Sequence, residues 1–248
     1  MGELHLTLDH PLFARSGGKG VRVAVVDSGI AFPHPHIGPV ASGACVIEGG
    51  DGWAMADYHD RNGHGTAVAA AIREKAFHAS LIAVRIFDRE LTTTADTVAR
   101  AIRWSAEHDA HLINLSLGTP NEERRPMLEE AVGYAAERGA LVVAAAEHEG
   151  RRMYPGCLPA AVGVLWDPAI NRDELVVHDD PDHVRLSASG LPRPIPGVPP
   201  DRNLSGISFA VANATGFLAR LVMQGRYTLQ GIRERLLSHS EPVSDTLP

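Results

Sequence analysis

The chain has 248 residues, of which 44% are hydrophobic and only 5% aromatic, and it carries a net charge of -7. That length and composition can bury a full core as one α/β domain or as two small ones, and abundant Ala, Val, Leu and Gly suit close packing of helices on a sheet. The acidic balance, with no basic run, argues against a surface for nucleic acid or anionic membrane.

No stretch offers about 18 consecutive apolar residues, as a membrane span would need. The first twenty residues lack both a basic start and an apolar core, so they do not read as a secretory signal. Cys45 and Cys157 are too few for a disulfide scaffold and lack metal-ligand spacing, and read as small buried thiols. Together these features predict a cytoplasmic protein.

In chain order, residues 1–20 form an arm or a first helix ending in the flexible joint Ser16-Gly17-Gly18-Lys19-Gly20. Val21 to Val26 is a near-continuous apolar run, as a strand covered on both faces requires, and it ends at Asp27 and a turn. Chemistry gathers at the carboxyl ends of strands in open parallel sheets. An Asp there also bonds its own turn, which leaves two readings open. Residues 31–63 read as loop, with Pro33, Pro35, Pro39, Gly49 and Gly50. His34-Pro35-His36 lies within it without a further ligand cluster, so no metal is expected. Asn62-Gly63-His64-Gly65-Thr66 then opens an Ala-rich helix through Ile72.

Ala79–Phe87 reads as a buried strand, Thr92–His108 as a helix, and His111–Leu117 as a strand stopped by Gly118-Thr119-Pro120. Pro126–Arg138 reads as a helix and Ala140–Ala146 as another strand. This alternation specifies βαβ crossovers, hence an α/β fold with a mostly parallel central sheet and helices on both faces. Short strands are expected near Ala160–Trp166 and Val184–Ser187, and a proline-punctuated loop over Leu191–Pro200. Ser208 sits at the start of a small, apolar helix, where a hydroxyl serves either as an N-cap or as a nucleophile. Thr228–Ser238 is one more amphipathic helix. Nothing divides the chain, so residues 21–240 are expected to form a single domain, followed by a loose tail over 241–248.

Taken together, Asp27-Ser28-Gly29, His64-Gly65-Thr66 and Gly206-x-Ser208 resemble the subtilisin-like serine proteases, peptidase family S8, whose triad runs Asp, His, Ser. The similarity covers about residues 20–238. It includes Ala79–Arg85, Ile113–Gly118, Val142–Ala146 and Tyr154-Pro155-Gly156. The resemblance implies a three-layer catalytic domain and a peptide or protein substrate. Ser208 would attack the peptide carbonyl, His64 would act as general base and acid, and Asp27 would hold the imidazole. Ser116-Leu117-Gly118 and the segment around Leu91, Thr92 and Thr93 would pair with an extended peptide. The P1 pocket would lie between Ser116–Gly118 and Ala145-Ala146-Glu147.

The chain departs from the family where Ala-Ala-Gly-Asn becomes Ala145-Ala146-Glu147-His148. The oxyanion-hole Asn is thus replaced by His148, which either donates in its place beside the Ser208 N–H or is a neutral change. Glu147 either points inward and favours a basic P1 residue, fills the pocket, or faces water. The calcium-carrying loop of many secreted relatives is missing, so no strong calcium site and no other cofactor is expected, a weak calcium site staying open. An inhibitory prodomain is also missing from these residues. The resemblance implies an endopeptidase, with maturation of a precursor peptide as its expected task. The alternatives are a peptide-binding pseudoprotease and a ligase or macrocyclase using the same acyl-enzyme. The oligomeric state is left open.

Overall fold

The structure, a computed structural model, describes residues 2–13, 17–46, 53–54, 57–88, 90–222 and 227–238. The expected tail over 241–248 lies outside the described residues, as do Ser16 of the expected joint and the Gly49-Gly50 pair. Strands are β1 Glu3–Thr7, β2 Arg22–Asp27, β3 Val40–Val46, β4 Trp53–Ala54, β5 Ser80–Arg85, β6 Leu112–Leu115 and β7 Leu141–Ala145. They continue with β8 Glu147–His148, β9 Arg151–Arg152, β10 Val162–Trp166, β11 Glu174–His178 and β12 Val184–Ala188. Helices are α1 His64–Lys75, α2 Ala95–Glu107, α3 Arg125–Glu137, α4 Ile207–Leu221 and α5 Leu229–Leu237.

Ten strands make one sheet in the order β1-β11-β12-β10-β7-β6-β2-β5-β3-β4. The run from β12 to β3 is parallel, and β1, β11 and β4 join its two ends antiparallel. Alternation along each strand divides the core in two. Val23 and Val25 of β2 and Leu81 and Ala83 of β5 pack in one cluster with α1, α4 and α5. Ala24, Val26, Ile82 and Val84 pack in the other with α2 and α3. Both faces of β2 and β5 are therefore covered, which is why these strands are apolar at nearly every position. The α/β, three-layer expectation matches this architecture.

Several segments differ from the sequence reading. Within 31–63, read as loop, β3 pairs parallel to β5 with a shift between Val40 and Ser42. The run Val40-Ala-Ser-Gly-Ala-Cys-Val lacks large apolar residues because Tyr58 covers it: a Cβ on Gly43 would sit 2.4 Å from the Tyr58 ring. Residues 1–20, expected as an arm or a first helix, instead carry an edge strand, with β1 paired to β11 and Leu6 buried. The helix expected from Thr92 starts at Ala95, because the Thr94 hydroxyl accepts from Thr97 N (3.2 Å) and caps it.

Candidate active site

Asp27 ends β2 at the carboxyl edge of the sheet and is fully buried. Its Oδ1 accepts from Ser28 N (2.7 Å) and from His64 Nδ1 (2.8 Å). A carboxylate can only accept here, so the imidazole carries its proton on Nδ1 and leaves Nε2 as the basic nitrogen. Asp27 Oδ2 is buried with no partner among the described residues, so its negative charge is aimed at few competitors of His64.

His64 is the first residue of α1, and Gly63 before it, at φ 95, has no side chain to cap the helix. The caps come from elsewhere. Asp60 accepts from Gly63 N (2.8 Å) and Thr66 N (2.9 Å), and Ser28 Oγ accepts from Gly65 N (2.9 Å) while donating to Asp60 (2.9 Å). The helix start is thereby tied to the turn that holds Asp27. Gly65 makes that approach possible, since a Cβ there would lie 2.3 Å from Gly29 O. Burial opposes charge on His64, but the Asp27 hydrogen bond and the charges of Asp27 and Asp60 outweigh it and hold the imidazole above its usual pKa. Burial likewise opposes ionisation of Asp60, yet its bonds from Thr66, Gly63 and Asn62 keep its carboxyl below the usual range.

Ser208 lies inside the first turn of α4, whose N-cap is Gly206 without a side-chain cap. Its hydroxyl caps no backbone N–H, so the N-cap reading does not hold. It donates instead to Ser116 O (3.1 Å), and no hydrogen bond joins it to His64. The His64 ring does lie 5.7 Å from that of Phe209, the residue after Ser208. Uncapped N–H groups in the first turn give this helix end positive character suited to an oxyanion. Behind the site, Thr215 Oγ1 donates to Asn114 Oδ1 (3.0 Å), whose Nδ2 donates to Ser116 Oγ (2.9 Å), locking α4 to the Ser116 strand. Lys75 Nζ, at the far end of α1, donates to Asn213 Oδ1 of α4 (2.7 Å), and burial, with Arg172 nearby, pushes this amine down to about 7.

Thr93 shares a cavity of about 500 Å³ with Leu117 and Gly118, as a peptide channel between those segments requires. Leu91 is exposed beside it, with Thr92. Between Ser116–Gly118 and Ala145–Glu147 runs a segment of which the sequence singled out Tyr154 but not Met153. Met153 N donates to Ala146 O (2.9 Å), and Tyr154 and Thr119 exchange backbone bonds at 2.9 Å. A Cβ on Gly118 would stand 3.2 Å from the Met153 Cβ, so Met153 lies directly against this wall. Asp60 was also missed, although an acid just before a helix start is a readable cap signal. Met153 had no such signal beyond its place before Tyr154-Pro155-Gly156.

Glu147 and His148 form β8, an exposed hairpin with β9 in which Glu147 faces Arg152. His148 Nε2 stands 4.0 Å from Glu149, and both β8 residues line a groove with Ile207, the neighbour of Ser208. The structure therefore brings His148 to the nucleophile's side of the site, and leaves Glu147 solvent-exposed across from a cation. Among the described residues, no three His, Cys, Asp or Glu side chains gather to hold a metal ion.

The profile of the subtilase family matches residues 18–162, more than half of the chain. Thermitase of Thermoactinomyces vulgaris is 30% identical over 246 residues, 92% of this chain and 84% of that protein. The Thermostable alkaline protease of Halalkalibacterium halodurans is 39% identical over 144 residues, 54% of this chain but only 37% of that protein's length. Among solved structures, the S41 psychrophilic protease superposes with a TM-score of 0.70 at 27% identity, covering 90% of this chain and 84% of that one. With the family profile matching more than half of the chain and a relative 30% identical across most of its own length, the chain belongs to the subtilase family of serine proteases.

Proposed function

We propose that this chain is a serine endopeptidase that cleaves peptide bonds through an acyl-enzyme on Ser208, and that its task is the maturation of a particular precursor peptide in the cytoplasm. The observation that carries the reading is the buried Asp27–His64 bond at 2.8 Å, beside a serine on an uncapped helix start. A substrate laid along Ser116–Gly118 as an added strand presents an N–H to Ser116 O. That N–H takes over the acceptor now used by Ser208, and a rotation about χ1 turns the hydroxyl to His64 Nε2.

Ser208 Oγ then attacks the carbonyl carbon while its proton passes to Nε2, and the carbonyl oxygen takes the negative charge beside the α4 N-terminus and His148. Asp27 stabilises the imidazolium. Collapse breaks the C–N bond as Nε2 returns the proton to the leaving amine, and water, deprotonated by the same nitrogen, releases the acid and Ser208.

Narrow specificity is supported by Met153, whose side chain stands against Gly118 at the wall expected for the P1 pocket. The cytoplasmic reading is supported by a sequence with only two cysteines, too few for a disulfide scaffold. No calcium is proposed at the histidine helix, because α1 runs uninterrupted to Lys75 and reaches β5 within a short turn; a chelator should leave the melting temperature unchanged. A second reading, a peptide-binding pseudoprotease, is favoured by the serine's present bond to Ser116 O and by His148. Fluorophosphonate labelling of the protein, absent in Ser208→Ala, together with digestion of a peptide library, separates the two. Failure to label would leave the binder. Transfer of the acyl group to an added amine in preference to water would replace hydrolysis by ligation.

A further inference from the structure

A second cavity, of about 570 Å³, opens at Gly63, the residue before His64, and shares no lining residue with the one at Thr93 and Leu117. Its walls are the His34–His36 loop, Gly63 to Ala70 at the start of α1, and the loop from Pro192 to Leu204. This size falls within the roughly 300–1,000 Å³ of ligand sites. Ile195, Val198 and Leu204 stand 46%, 37% and 51% exposed around it, a concentration of apolar surface that a folded chain rarely leaves open without use. The rim is cationic in a chain of net charge -7: Arg193 and Arg202 both line it, and no carboxylate is among its described lining residues. Arg193 is steadied by a bond to His36 O (3.3 Å), and Arg202 has no side-chain partner among the described residues. The loop is itself braced, with Val198 N donating to Ile195 O (3.0 Å) and Gly206 N to Gly190 O (2.9 Å).

The cavity's place assigns its occupant. By the reading above, the Ser116–Gly118 strand holds the acyl side of the substrate. The second cavity starts instead from Gly63, which precedes the general base, and from Leu204, four residues before Ser208. His64 returns its proton to the leaving amine, so the groove that continues from its side is where the leaving segment goes. We propose that this groove is a subsite for the leaving segment of the substrate, and that it takes a peptide stretch in which acidic and large aliphatic residues alternate. Aliphatic side chains fill the floor between Ile195, Val198 and the α1 wall, while carboxylates meet Arg193 and Arg202 at the rim. Both arginines are accessible, so the charge contribution is a selectivity of several-fold and weakens with salt.

This inference rests on the endopeptidase reading, and the test separates the two. Peptides sharing the acyl half Ala-Ala-Ala-Ala are given leaving halves Ser-Asp-Leu-Glu-Leu, Ser-Lys-Leu-Lys-Leu or Ser-Asp-Ser-Glu-Ser. A p-nitroanilide of the same acyl half, which has no leaving peptide, is the control. The acidic-aliphatic peptide should be cleaved with kcat/KM on the order of 5- to 10-fold above the other two at low salt. Arg193→Glu/Arg202→Glu should reverse the preference between the Asp and Lys peptides and leave anilide hydrolysis unchanged, which also shows that the variant folds. Ile195→Ser should remove the preference for Leu over Ser. Anilide hydrolysis with no dependence on the leaving half overturns the groove. Without any hydrolysis the endopeptidase reading falls, and the groove is judged by fluorescence anisotropy of the labelled Ser-Asp-Leu-Glu-Leu peptide: binding lost in the double variant supports it, equal binding by both proteins overturns it.

Discussion

Asp27, His64 and Asp60 are held by bonds that run between a strand end, a turn and a helix start, all of them buried or nearly so, whereas Ser208 has turned its hydroxyl to a backbone carbonyl and His148 stands exposed on a two-residue strand. The acid–base half of the site is finished before substrate arrives. On the proposed mechanism, the half that carries Ser208 is completed by it. The contrast follows from what each half must withstand: a buried carboxylate without fixed partners would be costly in the empty protein, while a hydroxyl can exchange one acceptor for another at little cost.

The prearranged half should give the largest effect. Asp27→Asn should lower kcat by about 10⁴-fold, because the amide can donate to Nδ1 and so favours the wrong tautomer. The wild-type pH profile sharpens the same point. His64 must be neutral to act as base, and its pKa is raised, so kcat/KM should climb with pH through a midpoint above the ordinary imidazole value of about 6.5. An acid limb at or below that value would mean the Asp27 and Asp60 charges do not act on the ring. The His64⁺–Asp27 pair also stabilises the fold below that ordinary value, and this contribution is lost as pH rises through the raised one.

On the nucleophile side, His148→Ala should cost about 100- to 1,000-fold in kcat with KM little changed if the imidazole donates to the oxyanion. A loss smaller than threefold would leave the α4 N–H groups as the oxyanion's support. The smallest effect belongs to the pocket between the halves. Met153→Gly should raise kcat/KM for Leu over Ala at P1 by about tenfold, as one or two added methylene contacts allow. If Arg at P1 is instead preferred in the wild type, Glu147 reaches the pocket despite its exposed place opposite Arg152.

How much was legible beforehand differs along the same divide. The strand ending in Asp27 and the glycine-flanked His64 at a helix start are local patterns, but the resemblance to the subtilisin-like proteases is what singled these two residues out. The parallel sheet followed from alternating strands and helices, since only crossovers of that length return the chain to the same edge. Ser208 was likewise singled out by that resemblance and not by its helix start, and its bond to Ser116, 92 positions away, has no local trace. Strand β3 was missed because the residue that makes its glycine necessary, Tyr58, lies in another segment.

The sequence by itself determined the layers, the order of the three reactive residues and the ends of strands and helices on which they sit, because periodicity and capping act over a few neighbouring residues. Only the tertiary structure decided that Ser28 ties Asp60 to the turn at Asp27, that Met153 stands against Gly118, and that Arg193, Arg202 and Ile195 gather at a groove beside Gly63. Those are meetings of segments remote along the chain, selected by how two packed layers close on one sheet edge, and no local pattern of residues carries that information.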